Sequence, residues 1–135
     1  METKDLMIGD WVQNPLGAKG WVKEIRLIPK DSDGFGGYYL VDIVYSKDGD
    51  SYARLEAKEL NPIPLTPEVL EKNGFVYDSE DKLFEDIYPR ISMLYSQYRL
   101  VENGGINYGE MSEIKYVHQL QHALRLCGID KEIEL

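Results

Sequence analysis

Cysteine is almost missing from this chain: Cys127 is the one cysteine among 135 residues. A lone cysteine excludes an internal disulfide, so packing and hydrogen bonds must hold the fold. Long apolar runs are missing too, and no stretch approaches the roughly 20 apolar residues that a bilayer-spanning helix needs. The opening METKDLMIGD carries acidic residues and no apolar run. It predicts no secretory signal, and the expected location is the cytoplasm. Runs of Lys or Arg are absent as well. Net charge is −9, and acidic residues outnumber basic ones in both halves. Duplex nucleic acid repels such a surface unless cations gather locally, which disfavours a nucleic-acid partner. Signatures of catalysis are equally scarce. Gly34-Phe35-Gly36-Gly37 lacks the GKS or GKT ending of a phosphate loop and is not followed by a helical pattern.

Apolar content of 43% suffices for a packed globule. The N-terminal half reads as β structure. Residues 5–12 (DLMIGDWV) open a strand, and residues 21–28 (WVKEIRLI) are rich in β-branched and aromatic types. Residues 38–45 alternate, with Tyr39, Val41, Ile43 and Tyr45 on one face and Tyr38, Leu40, Asp42 and Val44 on the other. Asp48-Gly49 predicts a tight hairpin turn, and residues 51–55 return as its partner strand. Residues 57–60 fit one helical turn, and the prolines after them keep the chain extended. Short strands, tight turns and a late helical turn before a last strand predict an SH3-like small β-barrel over residues 1–65. That analogy carries no function by itself.

Thr66, Pro67 and Glu68 form a helix start, and Asn73-Gly74 forms its stop. This short linking helix marks the expected boundary. Residues 66–135 then predict a second α+β module: strands at 75–77, 82–88 and 91–101, and a terminal helix over 112–127 that packs on them. The two modules are expected to be separate domains or to share one core. The whole is an α+β protein.

The terminal helix holds both histidines. Advancing about 100° per residue from Leu120 gathers Tyr116, Val117, Ala123, Leu124 and Cys127 within roughly 60° of it. This stripe predicts the buried face, with Cys127 as a small core residue. Gly128 and Ile129 predict a Schellman-type end. His118 and His122 fall near the opposite pole, on a face expected to be solvated. Their i, i+4 spacing suits two ligands of a zinc ion. A zinc hydrolase of this pattern needs Glu after the first histidine, and here that residue is Gln119. No third ligand is evident, and Lys115 and Arg125 flank the pair. His118 and His122 therefore stand as metal candidates, with neither metal nor cofactor expected.

Asp31-Ser32-Asp33-Gly34 resembles the start of a calcium loop, but Phe35 stands where a fifth-position oxygen is required. A turn rich in Asp and Gly explains it. The acidic group Asp78, Glu80, Asp81, Glu85 and Asp86 reads as a solvated hairpin. Ten tyrosines are many for this length. Tyr38, Tyr45, Tyr52, Tyr95 and Tyr98 form the candidate interaction surface, because Tyr is favoured at interfaces. Ordinary burial in a half-covered sheet is the competing account.

In combination, DLMIGDWV, NPIPLTPEVLEKNGF and IKYVHQLQHALRLCGI resemble a family of short uncharacterised proteins of gut-anaerobe bacterial genomes and their prophages or other mobile elements. The resemblance is weakest over residues 78–108. It implies a non-enzymatic accessory protein of a bacterium or its phage, and brings no cofactor or catalytic residue. The leading expectation is therefore an interaction or structural module that is not an enzyme. Its partner is a protein, it has no membrane association, and its oligomeric state is open. The Tyr-rich strands and residues 31–37 would be its contact points. The alternatives are a metal-dependent hydrolase using His118 and His122, and a nucleic-acid-binding SH3-like module using Lys19, Lys23, Arg26 and Lys30.

Overall fold

A computed structural model of the chain describes residues 1–78, 83–85, 91–94, 100–102, 114–126 and 128–135, with the strands beyond residue 75 described in backbone only. The chain divides into two compact units, Met1–Ile63 and Pro64–Leu135. Both are antiparallel sheets accompanied by short helical elements, so the protein is α+β. No helix among the described residues is long and apolar enough to cross a membrane.

Unit 1 holds five strands: β1 (Trp11–Gln13), β2 (Lys19–Ile28), β3 (Tyr38–Val44), β4 (Tyr52–Glu56) and β5 (Asn61–Pro62). Their order in the sheet is β4-β3-β2-β1-β5. The sheet is open, with β4 and β5 as its edges and no pairing between them among the described residues. The sequence places a strand over residues 5–12, but the chain forms a 3-10 turn at Thr3–Asp5 and pairs only from Trp11. Asp10 explains the delay. Its Oδ2 accepts the Met7 N–H at 2.7 Å, and its own N–H donates to Met7 O at 3.2 Å. This closes a turn before β1 can begin, in the manner of an Asx side chain competing with the ladder. Asp10 is 0% exposed.

The inward faces of β1, β2 and β3 supply Val12, Val22, Val41 and Ile43, which form one core with Leu6, Ala57 and Leu60. Gly20 permits the close approach, because a Cβ there would lie 2.5 Å from Ile43 Cγ2. A 3-10 turn at Ala57–Glu59 precedes β5, and Glu56 and Glu59 cap it reciprocally.

Unit 2 begins with α1 (Pro67–Lys72). Thr66 Oγ1 accepts the Val69 N–H, and Phe75 N–H returns to Leu70 O past Gly74, whose φ is +84°. Both caps are those expected from the sequence. Four strands follow in the order β6 (Val76–Asp78), β7 (Leu83–Glu85), β8 (Ile91–Leu94) and β9 (Leu100–Glu102). The sequence reads residues 91–101 as one strand. The structure instead folds them into an antiparallel pair, with Ile91 opposite Glu102 and Met93 opposite Leu100. Period-2 alternation continues through a reversal when the turn keeps the same parity, so pattern alone does not reveal the break.

The terminal helix, α2, spans Val117–Leu126 rather than 112–127. Tyr116 is held extended by a bridge to Pro64, and Leu65 N–H donates to Lys115 O at 2.9 Å. Gln119 then marks the start, its Oε1 accepting the N–H groups of Lys115 and Tyr116 at 2.8 and 3.2 Å. This is the returning half of a capping box. At the other end Ile129 N–H reaches Leu124 O and Gly128 N–H reaches Arg125 O, which is the expected Schellman pairing. Cys127 lies outside the described residues, as do the side chains of β6–β9, and with them the expected packing of helix on sheet.

The C-terminal tail is tied to the end of α1 by two side chains: Lys72 Nζ donates to Leu135 O at 2.6 Å, and Asn73 makes the closer-knit set. Asn73 Nδ2 donates to Val69 O and to Glu134 O, and its Oδ1 accepts the Glu134 N–H, each at 2.7 Å. Asn73 is buried, as is Ile133 on the tail. Truncation of the buried Asn73 side chain removes three part-buried hydrogen bonds, so Asn73→Ala is expected to destabilise unit 2 by about 1–3 kcal/mol. Urea denaturation followed by circular dichroism measures this, and a tail as protected from carboxypeptidase as in the parent would refute the clamp.

Candidate functional site

β2 outruns its neighbours. β1 pairs with it only at Lys19, Gly20 and Trp21, and β4 pairs with β3 only from Leu40 to Val44. Beyond these limits Leu27 pairs with Tyr39 and Ile28 with Tyr38 as a two-stranded arm. Leu27 and Tyr39 share one face of the arm, and Ile28 and Tyr38 the other. Leu27, Tyr38 and Tyr39 are exposed and Ile28 is half-buried. Two strands alone bury little, so the arm leaves Leu27, Tyr38 and Tyr39 exposed.

The tip of the arm is ordered by main-chain bonds. Asp31 Oδ1 accepts the N–H groups of Asp33 and Phe35 at 3.0 and 2.8 Å, and Asp31 N–H donates to Phe35 O at 2.7 Å. Gly37 N–H closes the loop on Ile28 O. Gly36 sits at φ +98°, and a Cβ there would lie 2.1 Å from Pro29 O. The Asp31 carboxylate is thus occupied as an Asx turn, the use expected of it over calcium. Phe35 is held at the tip of this fixed loop with 76% of its surface exposed. An apolar side chain presented on an ordered loop has lost conformational freedom before any encounter, which favours binding.

The outer face of the sheet carries two further rungs. Trp11, Trp21, Val44 and Tyr52 stand opposite one another across β1, β2, β3 and β4. The indoles meet edge to face, with centroids 5.4 Å apart and planes at 76°. The next rung joins Glu24, Asp42 and Arg54. Arg54 holds Asp42 through two bonds of 2.6 and 2.9 Å, and Arg26 approaches Asp42 at 3.6 Å and Glu24 at 3.1 Å. Hydrogen bonding by Arg54 above all holds the Asp42 carboxyl below its ordinary value, opposed by some burial. This rung fixes the three strands just where the arm leaves them.

The five candidate tyrosines divide. Tyr38 lies on the arm and Tyr52 on the outer aromatic rung, 66% exposed. Tyr45 packs against the core, and its hydroxyl accepts Asn14 Nδ2 at 3.0 Å. Tyr95 and Tyr98 lie outside the described residues, as do Glu80, Asp81 and Asp86. Phe35 falls within residues 31–37, the loop expected to make contacts, whereas Leu27, Ile28 and the tryptophan pair were not among the sequence candidates. The length of β2 against the short segments flanking it is the signal that could have found the arm. Of the cationic residues, Lys19, Lys23 and Arg26 lie on β2 and Lys30 just after it, with Arg26 engaged by two carboxylates.

The histidine pair requires a correction. His118 is not solvated: it is 5% exposed, and its ring stacks on Tyr116 at 5.8 Å. His122 is half-buried and meets His118 edge to face at 5.7 Å. The helical wheel assumed one covered side centred on Leu120. In fact Val117, His118, Leu120, Gln121 and Leu124 are all buried, so the covered arc is wider and turned toward His118. Gln119, at the position of a hydrolase base, caps its own helix. Among the described residues no group of three His, Cys, Asp or Glu gathers as a metal site would require.

No family model matches the chain, and no curated protein or solved structure matches it.

Two expectations follow. Asp42 has a lowered folded value, so its contribution is present above the unfolded value of 3.8 and is lost as pH falls through the folded one. Wild-type stability should therefore fall between about pH 5 and pH 2 more steeply than that of Asp42→Asn, and the two curves should converge in acid. Denaturant midpoints across this range test it. His118→Ala should cost about 1–3 kcal/mol and His122→Ala under about 1, because only the first leaves a buried space. Equal losses would instead mark a joint role.

Proposed function

We propose that this protein is a non-catalytic interaction module, and that its contact surface is the arm of β2 and β3 with Phe35 at the tip. The observation that carries this reading is an exposed aromatic residue on a loop fixed by Asp31, Gly36 and Gly37. Nothing within unit 1 needs Phe35 for packing, while two glycine conformations and an Asx turn go into presenting it. The partner is a protein, since apolar and tyrosine surface suits protein contacts and net charge disfavours nucleic acid.

Unit 1 is on this reading an SH3-like β module. Five short antiparallel strands in one sheet, with a 3-10 turn before the last, support that class without a closed barrel. The sequence resemblance supports a setting in a bacterium or its phage or mobile element, where small accessory proteins act by binding.

Phe35→Ala tests the reading, because the side chain is exposed and its loss leaves the loop bonds intact. A tagged chain recovered from its host should bring down a reproducible partner. The variant should lose at least about tenfold of that recovery, as truncation of a central aromatic anchor does, at unchanged melting temperature. Equal recovery by parent and variant would sink the proposal.

A further inference from the structure

The free edge of β2 carries a second inference, which rests on the reading of the arm as a contact surface and names one occupant. The pairing of β1 with β2 ends at Trp21, and the last main-chain bonds on that side are Val22 N–H to Asp10 O at 2.9 Å and Gly9 N–H to Val22 O at 2.7 Å. From Lys23 to Ile28 that side of β2 pairs with no strand among the described residues. An unpaired edge is a template for a further strand.

We infer that this edge takes the same edge of a second copy, antiparallel about a two-fold axis at Ile25. The register follows from face and charge. The bulge between Val22 and Glu24 puts Glu24 and Arg26 on the outer face, beside Asp42 and Leu40 respectively, and Ile25 and Leu27 on the inner face. Two identical antiparallel strands in one continuous sheet must match like faces, so only axes that pass through a residue qualify. An axis at Glu24 sets Glu24 against its own copy, and an axis at Arg26 sets Arg26 against its own copy. Like charges directly opposite are unfavourable. An axis at Ile25 sets Glu24 against Arg26 twice, Ile25 against Ile25, and Leu27 against the stem of Lys23. Of these three axes, only the one at Ile25 makes the strand complementary to itself.

The ends of the window fit the same arrangement. Past Lys23 the edge is occupied by Gly9 and Asp10, so Ile28 of the second copy arrives at the Met7–Asp10 turn. That turn holds Met7 and Ile8 outward, with Ile8 66% exposed. Each arm thus meets an apolar turn on the other copy. Met7, Ile8, Leu27, Tyr38 and Tyr39 account for most of the large exposed apolar side chains of unit 1. Leu16, Phe35 and Tyr52 stay outside the contact, leaving the tip free.

Sedimentation equilibrium of the full chain tests the pairing. A reversible dimer is expected. Glu24→Arg sets a cation against Arg26 at both contacts across the axis and should weaken it about tenfold, while adding Arg26→Glu restores opposite charges and should recover it. Ile8→Glu alters only an exposed side chain and should also weaken the dimer about tenfold at unchanged melting temperature. It decides the matter if the double variant melts early. A chain that is monomeric up to roughly 1 mM overturns the pairing, as does a dimer indifferent to both Glu24→Arg and Ile8→Glu. Loss of the pairing leaves the Phe35 result standing, because a monomer that still recovers its partner through Phe35 refutes only the two-fold contact.

Discussion

Unit 1 depends on a mismatch in strand length. β2 has ten residues, β3 has seven, β4 five and β1 three. A sheet is stable where each strand has two neighbours or one neighbour and a covered face. The inner half of β2 meets that condition, pairing on both sides and facing Val12, Val41 and Ile43. Its outer half does not, and projects with β3 as an arm. The same strand is therefore paired on both sides at one end and on one side alone at the other. The rung of Glu24, Asp42 and Arg54, with Arg26 beside it, stands at the change-over. Asp42 lies between two cations there, so the strands cannot slip without leaving a carboxylate facing the wrong partner.

The second unit is organised by its ends. Thr66 opens α1 and Asn73 closes it while holding the tail through Glu134. Gln119 opens α2, and Gly128 with Ile129 closes it. Each of these residues satisfies main-chain groups that a short helix leaves unpaired. The chain spends its polar side chains on such local duties, and the histidine face shows the same economy. The residue that would have served as a base is a cap, and one imidazole is stacked and buried.

Much of this was legible in the sequence. Caps and turns are local, so Thr66, Gly74, Gly128 and Asp48-Gly49 announced themselves. The alternation of β3 was correct because one face is truly covered. What failed was information that lies in tertiary contact. Residues 91–101 alternate without interruption, yet they fold back as β8 and β9. The wheel of α2 assumed a single covered side, so His118 was set in solvent. The start of α2 was placed too early because Tyr116 pairs with Pro64, which lies far away in the chain. The arm was seen only in part for a similar reason. Tyr38 and the loop of residues 31–37 were marked, but exposure of Leu27 and Tyr39 follows from where β1 and β4 end, and no residue in the arm records that.

The edge-to-face tryptophan rung has a consequence for observing the protein. Trp11 and Trp21 are the only two indoles in the chain, and both belong to unit 1. Indole emission thus comes from the five-stranded sheet alone. Neighbouring chromophores at 5.4 Å and 76° also couple their transitions. The pair is an optical gauge of whether β1 lies beside β2, built into the strand that borders the free edge.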